Sequence, residues 1–201
     1  MPCEKKDMYK SLEWCTGKTI LPGIRKRLYY IPKHLIVLFP VLPDAPAQES
    51  GSISEIVTYK GSFTLVADAK FRYIEVLVDE SPVTSEAQGE RPSVTSLNKA
   101  TFKHPGTEEE ATAFCKLANN DDFVYLVQQK NGKFRTLGNE MFETVTKCKQ
   151  ELGGAVTDKA GTTIEVEVTD VCPAPFYTGD IVCEAGTIDA STGTIKASGE
   201  S

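Results

Sequence analysis

The chain has 201 residues and a formal net charge of −6. That length buries roughly 70 % of an unfolded chain's surface, so one domain with an extension, or two small ones, folds without staples. Six cysteines with no CxxC and only two histidines exclude a zinc-finger spacing, and the longest apolar run, residues 35–42, is too short to span a membrane.

The first ten residues, MPCEKKDMYK, carry no apolar h-region, so no secretory signal is expected and the chain is expected to be made in the cytoplasm. Residues 1–27 read as an N-terminal extension that ends in a basic triplet, Arg25, Lys26 and Arg27, flanked by Lys18 and Lys33. RKRLYYIPKHLIVLF then reads as an extended pair broken at Pro32, because proline cannot donate to a ladder. ISEIVTYKG, SFTLVADA and FRYIEVLVDE follow as successive strands, with turns at Gly61 and at Ala69-Lys70.

Residues 79–104 are the most informative stretch. The middle of this stretch offers only Pro82, Val83, Pro92, Val94 and Leu97 for burial, yet β-formers lie on both sides and Gly89 sits near the centre. It reads as a long two-stranded arm ordered by a neighbouring chain, since a hairpin without a hydrophobic face is marginal alone; the alternative is a disordered polar loop. Its acids Asp79, Glu80, Glu86 and Glu90 face only Arg91 in opposition.

A helix is expected over 107–119. Thr107 suits the N-cap and Glu110 completes a capping box; Ala111, Phe114, Cys115 and Ala118 share a face, and Asn119-Asn120-Asp121 ends it. FVYLVQQ and FRTLG form a hairpin around Asn131-Gly132, read as a type I′ turn with two positive-φ residues. TTIEVEVTDV alternates Ile164, Val166 and Val168 against Glu165 and Glu167, the pattern of a strand with one wet face. Residues 182–201, with GTI at 186–188 and 193–195, read as a C-terminal extension or short terminal hairpin.

Catalytic signatures are missing: no GxSxG, HExxH, Walker loop or GxGxxG occurs. His104 reads as a turn residue and His34 as an edge residue; Asn119 to Asp122 lack the ligand spacing of a calcium loop. No enzyme, cofactor or metal is expected, and the cysteines read as free thiols, with a disulfide framework as the alternative. The basic run beside Tyr29-Tyr30 allows base stacking, but adjacent strand residues face opposite ways, so packing is the better reading.

The order of YYIPKHLIV, YKGSFTLVADAKFRYIEVLVD, SEAQGERPSVTSLNKATFKHPG, TEEEATAFCKLANNDDFVYLVQQKNGKFRTLGNE and DKAGTTIEVEVTDVCPAPFYTGDI resembles small virion structural proteins of gut-associated tailed bacteriophages, the tail-tube group in particular. The resemblance covers about residues 28–181. It implies a mainly β (α+β) fold: a β-sandwich or distorted barrel with one flanking helix, a long protruding hairpin and extended termini. It further implies self-association into rings, hexameric in the group, that stack into a DNA conduit in the virion tail, with other tail proteins as partners.

On that reading Asp79, Glu80, Val83, Glu86, Glu90, Arg91 and Val94 form the subunit-interface or lumen arm. Arg25, Lys26 and Arg27 meet a neighbouring subunit, with Glu108, Glu109, Glu110, Glu165 and Glu167 as opposing acids. DNA passes without being gripped, because each phosphate–cation contact would add affinity. The alternative is a capsid-decorating or tail-adaptor protein that binds other virion proteins or the host surface.

Overall fold

The computed structural model describes residues 9–44, 52–155 and 157–196. Strand β1 spans Ile24–Pro32 and β2 Ile36–Leu38; β3 (Thr58–Tyr59), β4 (Thr64–Leu65) and β5 (Arg72–Glu75) follow. Then come β6 (Val83–Gln88), β7 (Thr95–His104), helix α1 (Glu109–Ala118), β8 (Phe123–Gln129) and β9 (Phe134–Leu137). The chain continues with β10 (Thr144–Glu151), β11 (Gly161–Asp170), β12 (Phe176–Tyr177), β13 (Asp180–Cys183), β14 (Gly186–Asp189) and β15 (Thr194–Ile195). The fold is mainly β with one α-helix, and among the described residues no helix is long and apolar enough to cross a membrane.

A six-stranded sheet in the order β3-β12-β9-β8-β1-β5 forms the middle layer. Strand β8 shows why: six of its seven residues are buried, so both faces are covered. Tyr125 and Val127 pack with Leu28, Phe102, Ile164 and Val166 against a four-stranded sheet, β10-β11-β7-β6. Val124 and Leu126 pack on the other side with Phe63, Phe71, Tyr177, Ile181 and Ile188. Helix α1 closes one flank, where the Phe114 ring meets Tyr30 edge-on at 5.2 Å and Cys115 and Ala118 are buried.

Several expectations need amending. The anticipated N-terminal extension already contains the start of β1, so Arg25, Lys26 and Arg27 lie on a paired strand. Ile53–Val57 is a 3-10 helix whose first turn is held by Ser52 Oγ accepting from Ser54 N, and β3 to β5 are shorter than anticipated. The turn placed at Ala69-Lys70 falls one step earlier, with Asp68 in the left-handed region and Ala69 N donating to Val66 O.

The helix begins after Glu108, which makes no side-chain cap, and Thr107 does not cap it either. The Thr162 hydroxyl donates to Gly106 O at 2.7 Å in a buried contact; this fixes the chain just ahead of the helix, and no capping box closes. At the β8–β9 turn only Gly132 (φ +95) is left-handed. Gly132 N donates to Gln129 O and Gln129 N to Lys133 O, a three-residue loop with a glycine bulge in place of the type I′ turn. Residues 180–195 are no loose tail: β13, β14 and β15 form a meander that buries Ile181 and Ile188.

The 79–104 stretch is ordered by its own chain. Strand β7 is interior, paired to β11 from His104↔Thr162 to Ser96↔Asp170 and to β6 from Ala100↔Val83 to Thr95↔Gln88. Its inner face, Ser96, Asn98, Ala100 and Phe102, is buried. Gly89 (φ +84) closes the hairpin, and a Cβ there would meet Ser93 O at 3.0 Å.

Candidate assembly surface

The outer face of the four-stranded sheet is wet and charge-balanced. Alternation places Val145, Lys147, Lys149 and Glu151 of β10, Glu165 and Glu167 of β11, Lys99 and Lys103 of β7 and Thr84 and Glu86 of β6 on that side. Register sets Lys147 opposite Glu165 and Lys99 opposite Glu167, with Lys99 Nζ 3.8 Å from Glu167 Oε1. Each lysine that would grip a phosphate thus has a carboxylate beside it.

The two edges of this sheet differ. Along β10, Thr144 N donates to Asp122 Oδ1 at 2.9 Å and Cys148 N to Asn119 Oδ1 at 2.8 Å. These outward N–H groups are therefore met by the turn that ends α1. Burial and the neighbouring Cys115 push the Cys148 thiol up to about 12, as expected for a strand lying under a helix. Along β6, Thr101 N donates to Pro82 O, so antiparallel alternation turns the backbone of Val83, Ser85 and Ala87 away from β7. Among the described residues β6 pairs with β7 alone.

The site residues read from sequence divide accordingly. Glu86, Glu90, Arg91 and Val94 lie exposed on β6 or at the hairpin tip, and Asp79 is exposed in the turn that precedes it. Val83 is a correction: its register opposite Ala100 turns the side chain inward, where it packs against the core. Glu80 is not a free acid. Lys159 and Lys103 both pair with its carboxylate, the latter at 2.9 Å, and hold its pKa down to about 2. This clamp ties the root of the hairpin to β7 and to the chain ahead of β11.

The basic triplet is also partly engaged. Lys26 Nζ reaches Glu75 Oε2 at 2.6 Å, Arg27 Nε lies 3.9 Å from Glu75 Oε1, and the Arg27 guanidinium stacks over Tyr73 at 4.5 Å. Lys26 holds the Glu75 carboxyl below its usual range. Lys33 pairs with Asp122 at 2.8 Å and donates to Phe142 O at 2.6 Å. Glu108, Glu109 and Glu110 are exposed at the start of α1 and none of them meets the triplet within the chain.

Sequence reasoning missed three features of this surface. Asn98, fully buried on β7, accepts from Ser85 Oγ at 2.5 Å and from Ala174 N at 2.9 Å, and so fastens β6 to the loop after β11. Strand β10 was not anticipated, because its inner face is Thr144, Thr146 and Cys148 and not hydrocarbon. The third is a groove of about 630 Å³ near the Pro32 end of β1, lined by Leu38, Val41, Leu42, Ile56, Met141 and Val171 among others. Asp170 lines the groove at 1 % exposure, and burial holds its carboxyl above the usual range. Its Oδ1 accepts from Val171 N at 2.7 Å, whereas Oδ2 has no hydrogen-bond partner among the described residues.

A second cavity, about 380 Å³, lies where α1 meets the sheets, between Tyr30, Tyr73, Glu75, His104 and Phe114. His104 Nδ1 is engaged there with Glu75 O at 2.8 Å. Among the described residues no group of three His, Cys, Asp or Glu side chains is placed to hold a metal ion. No family model matches the chain, and no curated protein or solved structure matches it.

Proposed function

We propose that the chain is a structural subunit of a tailed-phage virion, most specifically a tail-tube protein that polymerises into stacked rings around a DNA conduit. The observation that carries this reading is the bare β6 edge on a sheet whose outer face is wet and charge-balanced. An unprotected edge strand is a template for another chain, and monomeric proteins blunt such edges. The alternating lysines and carboxylates suit a wall along which duplex DNA slides, since they offer no run of unpaired cations.

The covered β10 edge favours a second reading. A sheet with one bare edge can pair two-fold, β6 to β6, and such an isologous contact closes at a dimer; that suits a decorating or adaptor protein of the virion. Size separates the two. Purified protein viewed by negative-stain microscopy should show rings or tubes on the first reading and compact dimers on the second.

Ala87→Pro tests the feature both share. The Ala87 backbone points away from β7, so proline removes no bond within the chain and stands in the path of an incoming strand. The expected outcome is a folded monomer with parent-like circular dichroism that no longer associates in sedimentation velocity. Undiminished association of this variant would remove β6 from the interface and overturn the proposal.

A further inference from the structure

Helix α1 and strand β10 bring two cysteines together from the two sides of one contact. Cys115 and Ala118 are the buried residues of the helix, so Cys115 lies on the face that α1 turns to the sheets. On β10, alternation with Thr144 and Thr146 directs Cys148 inward, where it packs against the core between the sheets.

The backbone fixes their approach. Asn119 N donates to Cys115 O at 3.2 Å and Asn119 Oδ1 accepts from Cys148 N at 2.8 Å, so one residue ties the two main chains together. Nearer the start of the helix, the Thr112 hydroxyl donates to Gln150 Oε1 at 3.2 Å, which holds α1 along β10 on the other side of Cys115. Between these ties the two thiols are hydrogen-bonding neighbours. The other described cysteines are engaged differently. Cys15 is exposed, the Cys183 thiol donates to Gly186 O at 2.9 Å, and Cys172 lies beside Asp170 and Arg135.

We propose that Cys115 and Cys148 are a disulfide site, closed by a small-molecule disulfide such as oxidised glutathione, and that the bond fastens α1 covalently over β10. Cys148 is half-buried and Cys115 8 % exposed, so Cys148 takes the first step. Its thiolate attacks one sulfur of oxidised glutathione, a glutathione thiolate leaves, and a mixed disulfide remains on Cys148. The Cys115 thiolate then attacks the Cys148 sulfur and expels the second glutathione. The protein gives up two protons and two electrons, and the reagent, reduced to two glutathione thiols, takes both.

The surroundings make this site slow. The titratable groups beside the Cys148 thiol are Cys115 on α1 and Tyr125 on β8, and neither supplies a positive charge; Lys147 and Lys149 alternate to the wet face. Burial keeps the Cys148 thiol protonated at neutral pH, and the thiolate is the attacking species. A reducing compartment therefore leaves the pair open, and an oxidising one closes it with time. Closure makes permanent the cover that Asn119 and Asp122 give the β10 edge through hydrogen bonds. The inference does not depend on the β6 edge or on assembly.

The test uses full-length protein carrying Cys3→Ser and Cys15→Ser, treated with oxidised glutathione, alkylated and mapped by mass spectrometry. The expected product is about 2 Da lighter than the reduced chain and contains a peptide cross-linked between Cys115 and Cys148. Its rate of formation should rise about tenfold per pH unit from pH 7 to 9. Closing a loop of about 30 residues should raise the melting temperature by about 5–10 °C, and dithiothreitol should reverse the gain. Cys115→Ala in the same background should stop at a single glutathione adduct on Cys148, with no gain in melting temperature.

Glutathione adducts on both cysteines without the cross-link, or thiols that remain unreacted after prolonged treatment at pH 9, would overturn the site. A bond that forms only in urea, or pairing of either cysteine with Cys172 or Cys183 in the folded protein, would do the same. A Cys115–Cys148 bond that leaves the melting temperature unchanged would overturn the fastening of α1.

Discussion

The β10 and β6 edges belong to one sheet, yet only β10 has outward N–H groups that other parts of the chain meet. Asn119 and Asp122, on the turn that ends α1, meet the Cys148 and Thr144 N–H groups. Nothing comparable meets Val83, Ser85 or Ala87 among the described residues. The contrast shows where self-association is blocked and where it is left available, in a molecule that has a helix to spare for one edge. Edge protection is a general requirement of soluble sheets, so the unfinished edge is the one to perturb.

The largest expected effect lies beneath the open edge. Asn98→Ala leaves the buried Ala174 N–H without its acceptor and releases Ser85, at a cost of about 3–4 kcal/mol. Denaturant melts should show that loss, and hydrogen exchange should show β6 amides opening before those of β11. If β6 stays protected while the whole domain is destabilised evenly, Asn98 does not fasten the edge.

Phe114→Ala comes next and concerns the covered edge. The half-buried ring contacts Tyr30 and Phe123, so its removal should cost about 2–3 kcal/mol, below the range for a wholly buried phenylalanine. Loosening α1 also uncovers β10, and the variant should aggregate on warming at temperatures where the parent remains dispersed. Asn119→Ala should cost about 1 kcal/mol, through the Cys148 N–H alone. A thermal melt indistinguishable from the parent's would mean the β10 edge needs no cap.

Much of this comparison was readable in the residues, and the unreadable parts share one cause. Hydrocarbon periodicity marked β11, where Ile164, Val166 and Val168 are buried and Glu165 and Glu167 are exposed, and the inward face of α1. The hairpin around Gly89 was also visible. Hidden were elements whose inner faces are polar. Asn98 on β7 and Thr146 on β10 are buried by hydrogen bonding to distant partners. No local pattern announces those partners. The same blindness made the 79–104 stretch read as a free arm and Glu80 as an unpaired acid, since Lys103 and Lys159 lie far along the chain.

The Glu80 clamp gives a smaller, pH-dependent effect at the root of the open edge. Its pKa falls from 4.5 to about 2 on folding, so its contribution is present above about pH 4.5 and fades as the pH drops toward 2. Glu80→Gln lacks the contribution at every pH. Melting temperatures of parent and variant should therefore differ most near pH 6 and converge by pH 2, and high salt should narrow the gap because the clamp is partly exposed. A constant difference across that range would show the two lysines are not what the carboxylate holds.

The smallest effect expected is at Thr107, and it separates two accounts of what keeps α1 over β10. If a capping box nucleated the helix, Thr107→Ala would cost about 1 kcal/mol. The helix instead starts after Glu108 without a side-chain cap, and the chain ahead of it is held by the Thr162 hydroxyl on Gly106 O. Thr107 contributes a carbonyl to the Thr112 hydroxyl, a backbone group that alanine keeps. Thr107→Ala should therefore stay within about 0.5 kcal/mol of the parent, as for an uninvolved surface position. Thr162→Ala should cost about 1–2 kcal/mol by leaving the buried Gly106 carbonyl without that donor. Reversal of that order in paired urea melts would return the helix start to its own sequence signal and take the control of the β10 lid away from β11.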